Sequence, residues 1–321
     1  MKEFSIQKKC IFITSGGRTA TKFLSVLLAV SFKSCHSVQE PDIWRVDDFY
    51  DFYRNKSNFI HKLIDFGFFN MTIGKLFSLG NMRSITIARQ RGKIDEEEAA
   101  KRLYLLRHDY ISKLKQDIYI ESNLQLAGLI DIIPLVFPNS KTVFIIRDGR
   151  NWVRSYLNIQ ATTIYTMSDP LFYLPHARLS AKIFPDDPFS HRWNKFSTFQ
   201  RICWLWRFQT EYAIKTIKKN PNATIVKYES LFESSNEYES LNNFLKNLTK
   251  FSNNYQAEFQ YNDELSGKRL HESKADRLQK WEKWPLNLVR EFQEICGDLL
   301  LQQGYGTESL WHEMILKSEQ E

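Results

Sequence analysis

Cys10-Ile11-Phe12-Ile13-Thr14-Ser15-Gly16-Gly17-Arg18-Thr19-Ala20-Thr21-Lys22-Phe23-Leu24 is the stretch on which the fold turns. Its apolar, β-branched start predicts a buried strand, its glycine-bearing centre a turn, and the helical spacing of Phe23, Leu24, Leu27 and Leu28 a helix. A strand, a loop and a helix in that order gather unpaired backbone N–H groups at a helix N-terminus, where open donors and the macrodipole favour an anion. Thr19 and Thr21 add hydroxyl donors, and Arg18 adds a fixed charge able to bridge two anionic oxygens. The stretch does not match the nucleotide-triphosphatase pattern G-x-x-x-x-G-K-[ST], because Lys22 is preceded by Thr21 and followed by Phe23.

Working outward, Phe32 to His36 predicts a second strand, with Glu40 before Pro41 in the loop beyond it. Asp117 to Glu121 predicts a third, followed by Ser122, Asn123 and a helix over Leu124 to Phe137. Lys141 to Ile146 is a continuous apolar run that ends abruptly at Arg147-Asp148-Gly149-Arg150, as in a strand buried on both faces. Ala223 to Tyr228 is the fifth. Between them lie a helix opened by Asp95 with Ala99, Leu103, Leu106, Tyr110 and Leu114 on one face, and another from Phe196 to Lys219. A final helix is expected from Trp284-Pro285 to Gly304. Strands alternating with helices imply parallel pairing, right-handed crossovers and ligand binding beyond the strands' carboxyl ends. The expected fold is a single α/β domain over 1–321, a three-layer sandwich around a mostly parallel sheet of about five strands. Two long insertions, about 43–116 and 160–195, are expected to form acceptor-side walls or a lid.

A chain of 321 residues is long enough to bury its core without covalent support. Its four cysteines (Cys10, Cys35, Cys203, Cys296) are scattered with no C-x-x-C pair, which fits reduced thiols of a cytoplasmic protein. No apolar run has the length of a signal segment or a membrane span. The net charge of +7 suits an anionic ligand and leaves peripheral contact with an anionic membrane open. The basic residues are not gathered into one tract and no nucleic-acid-binding motif is present, so no nucleic-acid partner is expected.

Arg147 leaves the end of a central strand, and Ser155 lies in the helix that follows, so both are candidates to reach an anion near the first loop. Taken with that loop, they resemble the sulfotransferases that use 3′-phosphoadenosine 5′-phosphosulfate (PAPS), with the bacterial and tyrosylprotein branches nearest. Gly17-Arg18-Thr19-Ala20-Thr21 is similar to the family's 5′-phosphosulfate loop, and Arg147-Asp148-Gly149-Arg150 with Ser155 to its 3′-phosphate motif. Glu121-Ser122-Asn123, Lys227-Tyr228-Glu229-Ser230-Leu231, Lys280-Trp281 and Gly304-Tyr305 are weaker similarities in family order. Ala20 departs from the pattern by standing where the family has glycine.

The resemblance implies a P-loop NTPase-like fold, PAPS as donor, no metal, and a hydroxyl on a small molecule, glycan or lipid as acceptor. It implies that Gly17, Arg18, Thr19, Ala20, Thr21 and Lys22 hold the 5′ end of the donor and Arg147 and Ser155 its 3′-phosphate, with Tyr228 and Lys274 completing the site. No Asp/Glu/His cluster with metal spacing is visible. Sulfuryl transfer is an in-line displacement that positioning and charge neutralisation accelerate, and Arg18 is placed to supply the charge. The acceptor hydroxyl needs a base: Glu40 is the first candidate, with His36 and Glu121 as alternatives. A P-loop-type nucleotide kinase and a non-catalytic nucleotide-binding relative are the rival classes. The oligomeric state is left open.

Overall fold

The computed structural model of the chain describes residues 4–42, 56–71, 73, 80–158, 179–252, 255–256 and 277–320. It opens with β1 (Lys9–Ser15), almost wholly buried, and α1 (Thr21–Ser31), whose Phe23, Leu24, Leu27 and Leu28 face inward. The second strand, β2, spans Cys35–Gln39 rather than beginning at Phe32. Phe32 instead closes α1 by donating its N–H to the Leu28 carbonyl at 3.1 Å, and Ser34 turns the chain with a φ of 50°. Every β2 residue is only half-buried, so its apolar content was a poor guide to where it starts.

Among the described residues of the first expected insertion lie four helices: α2 (Lys56–Phe66), α3 (Phe68–Met71), α4 (Met82–Gln90) and α5 (Glu96–Ser112). The last begins as its sequence dictates: the Asp95 side chain accepts from the Glu98 N–H at 2.8 Å, with Glu96, Glu97 and Glu98 in the first turn. β3 (Ile118–Ser122) follows. The expected continuous helix over 124–137 is broken into a 3-10 turn at Leu124–Gly128 and a short α6 at Ile133–Val136. The Asn123 side chain caps the turn, and Gly128 lies against α4 so closely that a β-carbon there would meet the Thr86 methyl at 2.4 Å. Packing of α4 on this segment overrides its helical periodicity.

β4 (Ser140–Ile146) leads into α7 (Gly149–Leu157), capped by Asp148. The second expected insertion falls mostly on 159–178, outside the described residues, and the remainder carries 3-10 turns at Ala181–Ile183 and Trp193–Lys195. α8 (Thr198–Ile217) starts in a capping box between Ser197 and Gln200. β5 (Ala223–Lys227), α9 (Tyr228–Phe232) and α10 (Glu237–Leu248) come next, then a two-stranded ribbon of β6 (Lys250–Ser252) and β7 (Tyr255–Gln256). α11 (Leu286–Gln302) closes before Gly304 as expected, but a further helix, α12 (Ser309–Gln320), follows it. Trp311 anchors α12, being 1% exposed.

Five strands form one all-parallel sheet in the order β2-β3-β1-β4-β5, so the α/β three-layer expectation holds. Alternating side chains serve opposite faces. Ile11, Ile13, Ile120, Val143 and Ile145 pack against α1 and α10. On the other face Cys10, Phe12 and Tyr119 meet α4, α5 and α6, while Phe144 and Ile146 meet α7, α8, α11 and α12. All four cysteines are free. The chain leaves β1 toward β3 and β2 on one side and reaches β4 and β5 on the other. That reversal opens a crevice at the carboxyl ends of β1 and β4, where open α/β sheets place their ligands.

Candidate functional site

The loop between β1 and α1 runs through three left-handed residues, Gly17 at φ 96°, Arg18 at φ 57° and Ala20 at φ 57°. Local and long-range bonds hold it in that shape. The Ser15 hydroxyl accepts from the Gly17 N–H at 3.0 Å and from the Thr19 hydroxyl at 2.6 Å. The Gly17 carbonyl accepts from the Trp152 indole N–H at 2.7 Å, and the Arg18 carbonyl from Arg147 Nη1 at 3.0 Å. The loop is therefore fastened to the end of β4 and to α7.

Those bonds draw the two basic motifs together. Arg18 Nε donates to Ser155 Oγ at 3.0 Å across 137 residues of sequence. Arg147 stacks on the Tyr228 ring with its guanidinium carbon 4.2 Å from the ring centre, and its Nε is a buried donor with no hydrogen-bond partner among the described residues. Burial lowers the Arg18 pKa, Arg147 pushes it further down, and the phenols of Tyr156 and Tyr228 act the other way; among the described residues no carboxylate acts on it. Two guanidiniums held together with no acid between them among the described residues form a site that an anion would complete.

Of the other residues expected here, Thr19 is 1% exposed with its hydroxyl committed to Ser15, so its oxygen braces the loop. Thr21 is buried and Lys22 half-buried on the first turn of α1, and Ala20 occupies the N-cap position without a side-chain cap. Lys274 lies outside the described residues. Arg150, in the same motif as Arg147, points away into the core. It is fully buried, pairs with Asp148 at 2.6 Å and Glu308 at 2.7 Å, and lies between Trp281 at 4.2 Å and Trp311 at 5.0 Å.

The three candidate bases are set apart by their surroundings. Glu121 is fully buried and takes Arg107 Nε and Nη2, the Tyr119 hydroxyl and the Asn123 amide on its two oxygens. His36 Nε2 is 2.8 Å from the Tyr110 hydroxyl, its ring stacks on Tyr119, and burial holds its pKa below the usual imidazole range. Glu40 is half-buried just past β2, with φ 45° and its N–H on the Ser122 carbonyl at 3.0 Å. Because β3 separates β2 from β1, Glu40 lies two strand positions to the side of the β1–α1 loop, roughly 10 Å at the usual strand spacing.

No protein-family model matches the chain, and no curated protein does. Among solved structures it is similar to a sulfotransferase domain from the curacin biosynthetic pathway, at 12% identity over 92% of this chain and 98% of that one, with a TM-score of 0.42. It is likewise similar to a sulfotransferase domain from the Synechococcus PCC 7002 olefin synthase, at 12% identity over 92% and 96%, with a TM-score of 0.43. Likeness at this level carries no argument for function. The chain's own residues have to supply it.

Two functional features escaped the sequence reading. Trp152, which holds the Gly17 carbonyl, was legible only as an apolar helix residue, although its place three residues before Ser155 puts both on one face of α7. Arg107 sits four residues after Leu103 in the buried stripe of α5, and a cation at such a position was a readable signal of a buried acidic partner. Burial opposes its charge, but Asp42 and Glu121 outweigh that and raise its pKa well above the ordinary value. Among the described residues no group of His, Cys, Asp and Glu is placed to hold a metal ion, and no helix is long and apolar enough to cross a membrane.

Proposed function

We propose that the chain is a sulfotransferase that moves the sulfuryl group of PAPS to a hydroxyl of a small-molecule, glycan or lipid acceptor. The observation that carries this reading is the convergence of Arg18, Arg147 and Ser155 at the helix-opening loop, with Arg18 Nε on Ser155 Oγ at 3.0 Å and the Arg147 Nε unpartnered among the described residues. One anionic group at Arg147 and Ser155 and a second at Arg18 and the loop amides match a nucleotide with phosphates at both its 3′ and 5′ positions. The lysine–hydroxyl pair that a triphosphate and Mg²⁺ require is absent from the loop.

In the proposed reaction the acceptor oxygen forms a bond to sulfur as the bond from sulfur to the 5′-phosphate oxygen breaks. Glu40 takes the hydroxyl proton, and the electron pair of the broken bond leaves with the phosphate. Arg18 offsets the charge that develops there, an interaction stronger in the transition state than in the bound ground state. Glu121 is set aside as the base in this reading because both its oxygens already accept from buried donors.

The test compares adenosine 3′,5′-bisphosphate with AMP, which lacks only the 3′-phosphate. Losing one charge-assisted contact pair costs roughly 2–4 kcal/mol, or some 30- to 1,000-fold in affinity. The bisphosphate should therefore raise the melting temperature well beyond AMP, and Arg147→Ala should erase the difference. Equal shifts for the two nucleotides, or a dominant effect of ATP with Mg²⁺, would overturn the reading.

A further inference from the structure

Glu40 holds a left-handed conformation that a glutamate does not favour, so its neighbours have to impose it. Among the described residues, one restraint is its own N–H on the Ser122 carbonyl at 3.0 Å. A second arrives two residues later. Asp42 is 3% exposed, and its Oδ1 takes Arg107 Nη2 at 2.8 Å while its Oδ2 takes the Met82 N–H at 2.9 Å. Between Glu40 and Asp42 stands Pro41, whose ring fixes φ. Few rotations therefore separate the place of the Asp42 carboxylate from the direction of Glu40.

The same guanidinium holds the first restraint. Arg107 Nε and Nη2 meet the two oxygens of Glu121 at 2.8 and 2.7 Å. Glu121 precedes Ser122, whose carbonyl receives the Glu40 N–H, and it also accepts from the Asn123 amide at 2.8 Å. The Asn123 N–H in turn bonds the Ile13 carbonyl of β1 at 2.9 Å. Arg107 further lies over the Phe66 ring at the end of α2, 5.6 Å from its centre. A single buried cation thus gathers the segment after β2, the end of β3, the first residue of α4 and the last of α2. Two carboxylates share it, and the Tyr119 hydroxyl and the Asn123 amide take up the surplus negative charge. A simple helix-to-sheet brace would need one acid; the second acid is the one that reaches the Glu40 segment.

We propose that Arg107 is the positioning residue of the acceptor side, acting through Asp42 and Glu121 to aim Glu40 along the sheet edge toward the anion loop. The proposal rests on the reading of Glu40 as the base, and its geometric content can be tested without an acceptor. In the wild-type chain the Glu40 amide should exchange with deuterium as slowly as the Ile120 amide inside β3, although it lies past the end of an edge strand; exchange at the rate of an open loop overturns the proposal. In protein labelled with ¹³C-glutamate, Glu40→Gln identifies the Glu40 resonances. Asp42→Asn and Arg107→Lys should move the Glu40 backbone shifts out of the left-handed range and displace the titration of its carboxyl carbon. Both variants should bind adenosine 3′,5′-bisphosphate within about twofold of wild type, since the anion loop does not touch Arg107. Unchanged Glu40 shifts and titration in a folded variant reduce Arg107 to a structural brace. Failure of the wild type to bind the bisphosphate overturns the sulfotransferase reading instead, while the exchange and titration data still decide whether Arg107 sets Glu40. Should both variants fail to fold, the wild-type exchange measurement decides alone.

Discussion

Ala20→Gly should stabilise this protein, against the usual sign of an alanine-to-glycine change at the start of a helix. Ala20 sits at φ 57° and ψ 26°, a left-handed conformation that costs an L-residue about 1–2 kcal/mol and glycine almost nothing. Glycine's greater freedom in the unfolded chain returns about 0.4–1 kcal/mol of that gain. The Ala20 methyl is half-buried against the α1 and α10 core, and losing it subtracts part of the roughly 0.8 kcal/mol that a fully buried carbon contributes. The net is a gain of about 0.5 kcal/mol, where an ordinary helical site would lose about 0.5–1 kcal/mol. Gly17→Ala supplies the opposite sign. At φ 96° an added β-carbon meets nothing closer than 3.6 Å, so its expected cost of about 1 kcal/mol is backbone strain and not collision. Urea midpoints of the three proteins, measured side by side, resolve differences of this size. An Ala20→Gly variant less stable than wild type by about 0.5 kcal/mol or more would refute the left-handed assignment and the account of the loop built on it.

Two further perturbations test the frame around the site. Arg150→Ala should cost about 3–5 kcal/mol in urea unfolding, because it strands the nearly buried Asp148 carboxylate and empties the space between Trp281 and Trp311; a loss under about 1 kcal/mol would show that the cluster contributes little. Burial holds the His36 pKa in the folded protein below the 6.5 of the free side chain, so the unfolded chain takes up the proton first. Its contribution is complete above pH 6.5 and is lost as pH falls toward the folded value, and His36→Gln should flatten the stability profile in that window; an unchanged slope between wild type and variant counts against it.

Much of the framework was legible along the chain. β1 and β4 are continuous apolar runs because a parallel sheet buries both faces, and α5 announces itself through Asp95 and three glutamates. The left edge of β2 was not legible, because a half-buried edge strand carries no strong periodicity, and the helix expected over 124–137 gave way where α4 presses on Gly128. The residue types of the candidate anion site could be read in order: a glycine-bearing turn, Arg18, Arg147 and Ser155. Their meeting could not, since Arg18 and Ser155 are 137 residues apart and touch only because β1 and β4 pair in register. Local signals encode periods and caps, which act over a few residues. Which hydroxyl turns inward, as in Thr19, which arginine of a motif faces the β1–α1 loop and which the core, and which buried cation holds the Glu40 segment are decided by contacts between distant elements, and only the packed sheet brings those together.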